Sequence, residues 1–455
     1  MSLMSQIGYS GVSAAQIALN SAAQNIANVN TPGYSRLTTQ LGSVGGQGQQ
    51  QVGGGVHVIG VKRMSDNFKT QQLWRATTDM HYYQAGQDYL SSLEGVMAGE
   101  GSSLGTGLNN FYAALSAASS SPGDIPLRQQ ILSEMKNLSQ RFNGLNNNID
   151  NQLKALHEQR SAMGNEINGL TQNLALLNQK IIQAESTGAD SSALRDHRES
   201  LVGELSKYAD LRVNESRDGS LTVSLANGQP LVSGKTAGQL SISLNATGEQ
   251  EVALTFAGTS FPLRQDSLGG AFGGLYSVEQ NSLLPARESL KEMAQALATL
   301  VNDTLAGGYD LNGNPGQPLL AFNPNSSNGL LQINDLKPEE LAFSDTAGES
   351  GNNKVLLALI ELKNTRVTVG GNSVTLNEAY SGMLGDVASA SRQNQADLKS
   401  ASTVVEQAQN QRDSVSAVSD SEEAQAVMEY NKALQANMKV IQTANSIFDT
   451  ILAAV

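Results

Sequence analysis

A mainly α-helical chain with a small antiparallel β unit inserted between its helices is what the 455-residue sequence predicts. Three observations carry this. Apolar residues recur every seven positions from Ile125 to Glu185. The period drops to two between residues 209 and 275. Both chain ends bear narrow apolar stripes at heptad spacing.

The N-terminal stripe is Val12, Ala15, Leu19, Ala22, Ile26 and Val29, with spacings of four and three. Ser, Gln and Asn fill the rest of this segment, and no charge occurs before Arg36. Pro32 disfavours helix at Thr31, so the helix should stop near Val29 or Asn30. Thr31-Pro32-Gly33-Tyr34 then reads as a β-turn, with proline at its second position and glycine free to take a positive φ at its third. The Gly-rich run from Gly42 to Gly60 reads as a flexible loop entering a short strand, Val56 to Val61. A helix is expected from Ser65 to Val96, then a short helix within a Gly/Ser-rich stretch.

In the long central segment Met135, Phe142, Ile149, Leu156, Met163, Leu170 and Leu177 lie seven apart. A second stripe accompanies them, at +3 for Leu138 and Leu145, then at +4 for Leu153, Ile167, Leu174 and Ile181. That drift is what 3.6 residues per turn gives against a 3.5 repeat. One helix of this length would be roughly 90 Å long and needs a long partner. Ser282–Ala306 and Leu376–Gln411 are the candidates, and Ser191–Tyr208 reads as a shorter helix. Alternating segments with Asp-Gly and Asn-Gly turns then form the β unit, 209–275. A Gly/Asn-rich insertion, 307–353, should hold short strands such as "LLQIN". At the C-terminus Val427, Leu434, Ile441, Phe448 and Val455 are again seven apart. The halves nest. Residues 1–35 with 415–455 make a terminal coiled-coil unit, 36–208 with 276–414 a long-helix bundle, and 209–275 an outer β unit.

Composition narrows the function. The formal charge of −13 argues against nucleic acid, whose phosphates need a basic face. The densest apolar run, Val355 to Leu362, is too short to span a bilayer. The N-terminus has neither the basic n-region nor the apolar h-region of a Sec-type signal. With no cysteine there is no disulfide, thiolate metal site or cysteine nucleophile. The four histidines, His57, His81, His157 and His197, lie in different elements without metal-ligand spacing, and His197 sits on a charged, solvated face. The stretch Asp310 to Phe322 begins like a calcium loop, with Asp310, Asn312 and Asn314. It then has Pro315 for the turn glycine and Ala321 at the twelfth position. No nucleophile elbow, phosphate loop or dinucleotide loop is present. We therefore expect no enzyme, no cofactor and no metal. The terminal stripes admit three readings: packing on the chain's own core, a membrane surface, or packing between chains. Membrane-surface helices carry Lys/Arg on the polar face, and the N-terminal segment has none. Uncharged polar faces pack against neighbours without burying charge, which favours the third.

"LNSAAQNIANVNTPGYSR" resembles the N-terminal signature of the flagellar rod, hook and hook-associated axial proteins, in Asn25 to Asn28 and in Asn30, Thr31, Pro32, Gly33 and Tyr34. The segment from Ser419, with the acidic pair Glu422-Glu423, resembles their C-terminal signature. "LRDHRESLVGELSKYADLRV" and "LVNDTLAGGYDLNGNPGQPLLAF" resemble the hook-associated members found at the hook–filament junction. The resemblance implies export through the flagellar type III channel without cleavage, with a cytoplasmic chaperone holding the C-terminal helix. It implies polymerisation outside the cell into a ring or helical assembly. Its partners would be copies of itself, the hook protein and a second junction protein next to the filament. The terminal helices would form the inner tube, pairing between subunits, and the β unit the outer surface. The chain is short for such a protein, so an outer domain is expected to be reduced or missing. A hook or distal-rod subunit, and a secreted coiled-coil adhesin or effector, are the alternatives. Both terminal segments are expected to order only on assembly, because isolated helices with narrow Ala-rich stripes are marginal in water.

Overall fold

A computed structural model of the chain describes residues 3–45, 53–245, 249–324, 326 and 329–453. Ten helices and thirteen strands are present among them. Helix α1 (Leu3–Ala27) is followed by a hairpin of β1 (Leu37–Val44) and β2 (Gly55–Arg63), paired Leu37 to Arg63 with a bulge after Gln40. The sequence suggested a loop from Gly42 onward. Part of that loop lies outside the described residues, but β1 is a strand the pattern did not reveal. Its Thr-Thr-Gln-Leu-Gly run lacks clear alternation, and docking on α1 supplies what local preference does not.

Helix α2 (Asn67–Ala98) starts at Asp66, whose carboxylate accepts the backbone N–H groups of Phe68 and Lys69 at 2.9 and 3.2 Å. Then come α3 (Leu104–Ala118), α4 (Ile125–Ser186) and α5 (Ser192–Tyr208). The stripe read from the sequence is the buried one. Met135, Phe142, Ile149 and Leu156 are fully buried, and beyond Met163 burial passes to Ile167, Leu174 and Ile181. No single long partner covers it. α3, α5, α7 (Leu284–Ala306) and the strands share that task. The other candidate, α9 (Leu376–Ser416), pairs instead with α2. Periodicity shows that a stripe must be covered, not which of several matching stripes covers it.

The β unit contains an antiparallel four-stranded sheet of β3 (Leu211–Glu215), β4 (Leu221–Leu225), β5 (Pro230–Ser233) and β6 (Thr236–Ala237). A three-stranded sheet of β7 (Gln239–Leu244), β8 (Gln250–Phe256) and β9 (Thr259–Leu263) completes it. The chain is helical again from α6 (Gly270–Val278), which runs through a π-turn, Glu279–Leu283, into α7. Short hairpins β10 (Leu320–Phe322)–β11 (Leu331–Ile333) and β12 (Val367–Val369)–β13 (Asn372–Val374) flank α8 (Lys354–Glu361). Helix α10 (Asp420–Ala453) ends the described chain.

Two apolar cores result. One joins α2, α3, the first half of α4, α7, α8 and the start of α9. The other joins the second half of α4, α5 and strands β3 to β9. Met163 packs against both.

Helix asparagines tie strands to helices by one repeated device. The side-chain amide of Asn143 donates to the Leu331 carbonyl at 2.8 Å, and its oxygen accepts the Leu331 N–H at 2.9 Å. Asn168 does the same with Leu240, Asn178 with Leu221, Asn302 with Leu320 and Asn25 with Leu37. A primary amide presents one donor and one acceptor side by side, as a neighbouring strand would. It thereby closes a strand edge or end without another strand.

Candidate assembly surface and its anchor

Helix α1 is held between α10 on one side and the β1–β2 hairpin on the other. A Cβ at Gly8 would stand 2.7 Å from Ile441 Cγ1, and one at Gly11 would stand 2.3 Å from the Asn437 side chain. The two terminal helices thus approach at backbone distance. On the hairpin side, Ser10 Oγ accepts the Val56 N–H at 3.1 Å and Ser21 shares a hydrogen bond with Thr39 at 3.1 Å.

Of the residues expected on the N-terminal seam, Ala15 and Ala22 are buried, Val12, Leu19 and Val29 are half-buried, and Ile26 is exposed. Small residues, Gly8, Ala14, Ala18 and Ser21, share the buried positions, because α1 has neighbours on two sides and both come close. On α10, Val427, Leu434 and Ile441 are half-buried and Phe448 is exposed, while Val455 lies outside the described residues. Only Glu423 and Ala444 are buried among the described residues of α10. Met428, Phe448, Ile451 and Leu452 are 56–62% exposed. Among the described residues, a helix of 34 residues is therefore covered by its own chain along one line only.

The turn after α1 is the anchor of this pair. The helix ends at Ala27, slightly before the expected stop. The Tyr34 N–H donates to the Thr31 carbonyl at 3.2 Å, and Gly33 takes φ +79°, so Thr31 to Tyr34 form the β-turn the sequence implied. Asn28 caps backward onto the Gln24 carbonyl at 2.9 Å and accepts from the Thr31 hydroxyl at 3.2 Å. Asn30 and Pro32 are exposed. The central residue is Asn25, 1% exposed. Its side-chain oxygen accepts the Leu37 N–H at 2.8 Å and the Tyr34 hydroxyl at 2.9 Å, while its NH₂ donates to the Leu37 carbonyl at 2.9 Å. One buried amide thus ties helix, turn and hairpin together. Burial, then the nearby carboxylates of Asp196, Glu423 and Asp190, push the Tyr34 hydroxyl up to about 12, which keeps it a donor.

Beyond the turn a charged clasp fastens the terminal unit to the body. Arg63 from the hairpin bonds both Asp196 and Glu199 of α5. Arg412 of α9 lies 3.5 Å from Glu199 and 3.0 Å from Asp413, and donates to the Gly33 carbonyl at 3.3 Å. Asp196 also accepts the Ser35 N–H at 3.2 Å. The paired carboxylates hold the Arg63 guanidinium above its ordinary range despite burial, whose opposing effect is the largest single one. Arg36, the first charge in the chain, meets Glu422 of α10 at 2.8 Å. Asp196 and Glu199 flank His197, which is exposed as expected for a solvated face. Sequence reading missed the clasp because its members come from three distant segments. The one available signal was the charged "RDHRES" stretch.

A cleft of about 850 Å³ opens between α1, the hairpin, α2 and α5. Several of its charges are paired, Arg195 with Glu185 and Glu215, Arg198 with Glu215, and Arg63 with Glu199. Among the described residues no group of three or more His, Cys, Asp or Glu could hold a metal ion. In the loop that opens like a calcium site, the Asp310 carboxylate is occupied by the N–H groups of Asn312 and Asn314, at 2.8 and 2.7 Å. Among the described residues no helix is long and apolar enough to cross a membrane.

Comparison with known proteins agrees with this geometry. Residues 90–320 match the family described as the flagellar hook-associated protein FlgK helical domain. Residues 6–34, which are α1 and its turn, match the flagella basal body rod protein family. The chain is 27% identical to flagellar hook-associated protein 1 of Escherichia coli K12, over 99% of this chain and 100% of that one. It is 28% identical to the Salmonella typhimurium protein of the same name, again over 99% and 100%. The Bacillus subtilis protein of that name is 23% identical over 97% and 96%. The E. coli alignment runs over 547 residues against 455 here, so that relative carries residues with no counterpart in this chain. The solved hook junction protein FlgK of Burkholderia pseudomallei superposes with a TM-score of 0.67, covering 77% of this chain and all of that one. At 17% identity that likeness speaks for the fold alone. The match over 90–320, with a rod-family match at its head, places this chain in the FlgK family of flagellar hook-associated proteins.

Proposed function

We propose that the chain is a structural subunit of the bacterial flagellum that polymerises as the adaptor between hook and filament. The observation that carries this is α10, which leaves Met428, Phe448, Ile451 and Leu452 uncovered beside an uncharged α1. In a ring or helical assembly, neighbouring copies cover those faces and the terminal pairs form the inner tube. The seam residues Val12, Leu19, Ile26, Val29, Val427, Leu434, Ile441 and Phe448 then contact either the chain's own partner helix or the next copy. The long-helix bundle forms a second layer and the β unit faces outward. Hook protein on one side and a second junction protein on the other are its neighbours. The chain acts outside the cell, leaves through the flagellar export channel and is held beforehand by an export chaperone at α10. It performs no catalysis.

Phe448→Asp tests this. Phe448 is 56% exposed, so the substitution should change the stability of the free chain by less than about 0.5 kcal/mol. In the assembly it buries an unpaired charge. Cells carrying it should secrete the protein, retain hooks and build no filament. Normal filaments on such cells would contradict the proposal.

A further inference from the structure

Where the two cores meet, the chain places a buried ionic node. Glu279, 4% exposed, opens the π-turn between α6 and α7. One of its carboxylate oxygens is 2.6 Å from His157 Nε2, and the other is bonded by Arg160, which is fully buried. His157 and Arg160 lie three apart on α4, so both reach the same carboxylate. Arg160 also donates to Gln265 Oε1 at 2.9 Å and lies 6.0 and 5.9 Å from the ring centres of Phe272 and Tyr276. Gln250 of β8 donates to the His157 carbonyl at 2.8 Å and to Ser161 at 3.2 Å. The node therefore draws on α4, on the α6–α7 turn and on the β unit together.

The π-turn has a local cause. Pro285 has no N–H to give, and its ring would clash with the carbonyl four residues back. The turn widens, and the Leu284 N–H bonds the Glu279 carbonyl five residues back. Before the turn Phe272 packs into the β-unit core while Leu275 and Val278 pack into the body core, and Leu283 in the turn and Leu290 after it continue the body core. A wider turn is more easily re-angled than an α-turn. Apolar packing changes over from one core to the other within α6, between Phe272 and Leu275, and at Met163 on α4, while close contact with α2 at Gly274 holds the α6 backbone itself. Buried charges tolerate few geometries, because displacement leaves an ion unpaired in a dry site.

We propose that Glu279 is a positioning residue that locks the π-turn and so fixes the angle between the β unit and the helical body. The body and the outer unit would then leave folding in one set relation. The chain has no cysteine, so a spin-label pair needs only two introduced sites. Gln295→Cys on α7 and Glu251→Cys on β8 are both exposed. Electron–electron distance measurement on the otherwise native chain should give one narrow distribution. Glu279→Ala should at least double its width while leaving helix content unchanged. Glu279→Gln, which keeps the shape and part of the hydrogen bonding, should fall between. If Glu279→Ala does not fold, the near-isosteric Gln variant decides alone. A folded variant whose distance distribution matches the parent, however much its melting point falls, would overturn the proposal and leave Glu279 a packing residue only.

Discussion

Replacing Asn25 with Ala should free the hairpin and the turn from α1 and stop junction assembly. The side chain makes three hydrogen bonds at 2.8–2.9 Å in a site 1% exposed. Its loss leaves the Leu37 N–H and C=O without partners where water does not reach, while the half-buried Tyr34 hydroxyl can turn outward. Each orphaned buried group costs about 1–3 kcal/mol, so about 2–6 kcal/mol is expected in all. Asn25→Asp keeps the shape of the side chain but loses its donor. A carboxylate still accepts from Leu37 and Tyr34, but it repels the Leu37 carbonyl and adds charge near Asp196 and Glu423, both already felt by Tyr34. It should therefore rescue nothing. Hydrogen exchange at the Leu37 amide is the readout, and an unchanged rate in both variants would show that Asn25 does not hold the hairpin.

Gly274→Ala should have a large effect on the fold itself. α6 crosses α2 so closely that a Cβ at Gly274 would stand 2.0 Å from the Tyr82 carbonyl oxygen and 2.8 Å from its carbon. These are backbone atoms of a helix and cannot swing aside as a side-chain tip can. Relief requires the whole of α6 to move, which disturbs Phe272 in one core and Leu275 and Val278 in the other. Overpacking on this scale costs about 3 kcal/mol. Urea unfolding followed by circular dichroism should show a clear drop in midpoint, and no drop would mean that the crossing is looser than described. At Gly8 the nearest contact is instead the side chain of Ile441, so the same substitution there should cost less.

Much of the molecule was legible because it follows local rules. Met135 to Leu156 announced the face of α4 that is buried, since a long helix can bury only one stripe. Thr31 to Tyr34 announced their turn, because proline and glycine at those positions leave few alternatives. The acidic pair at 422–423 gained a reason: Glu422 meets Arg36, and Glu423 is buried near Tyr34. What stayed hidden depends on distant contacts. The asparagine clamps read as ordinary polar helix positions. In hindsight four of them directly follow a buried apolar residue: Phe142, Ile167, Leu177 and Val301. His157 read as isolated because its partner is 122 positions away. The pairing of α9 with α2 was undetermined, since several stripes of similar width compete for cover. The terminal seams were half legible. Their spacing showed two amphipathic helices that group into one terminal unit, but not that the β1–β2 hairpin covers the other side of α1.

The central claim is that α1 and α10 are completed by other copies. Hydrogen exchange along α10, in the free chain and in isolated hook–filament junctions, measures this most directly. A helix covered along one line opens at little cost, so residues 428–452 of the free chain should exchange far faster than the buried middle of α4. In the junction their protection should rise at least a hundredfold. Protection in the free chain equal to that of α4, with no gain on assembly, would contradict the account.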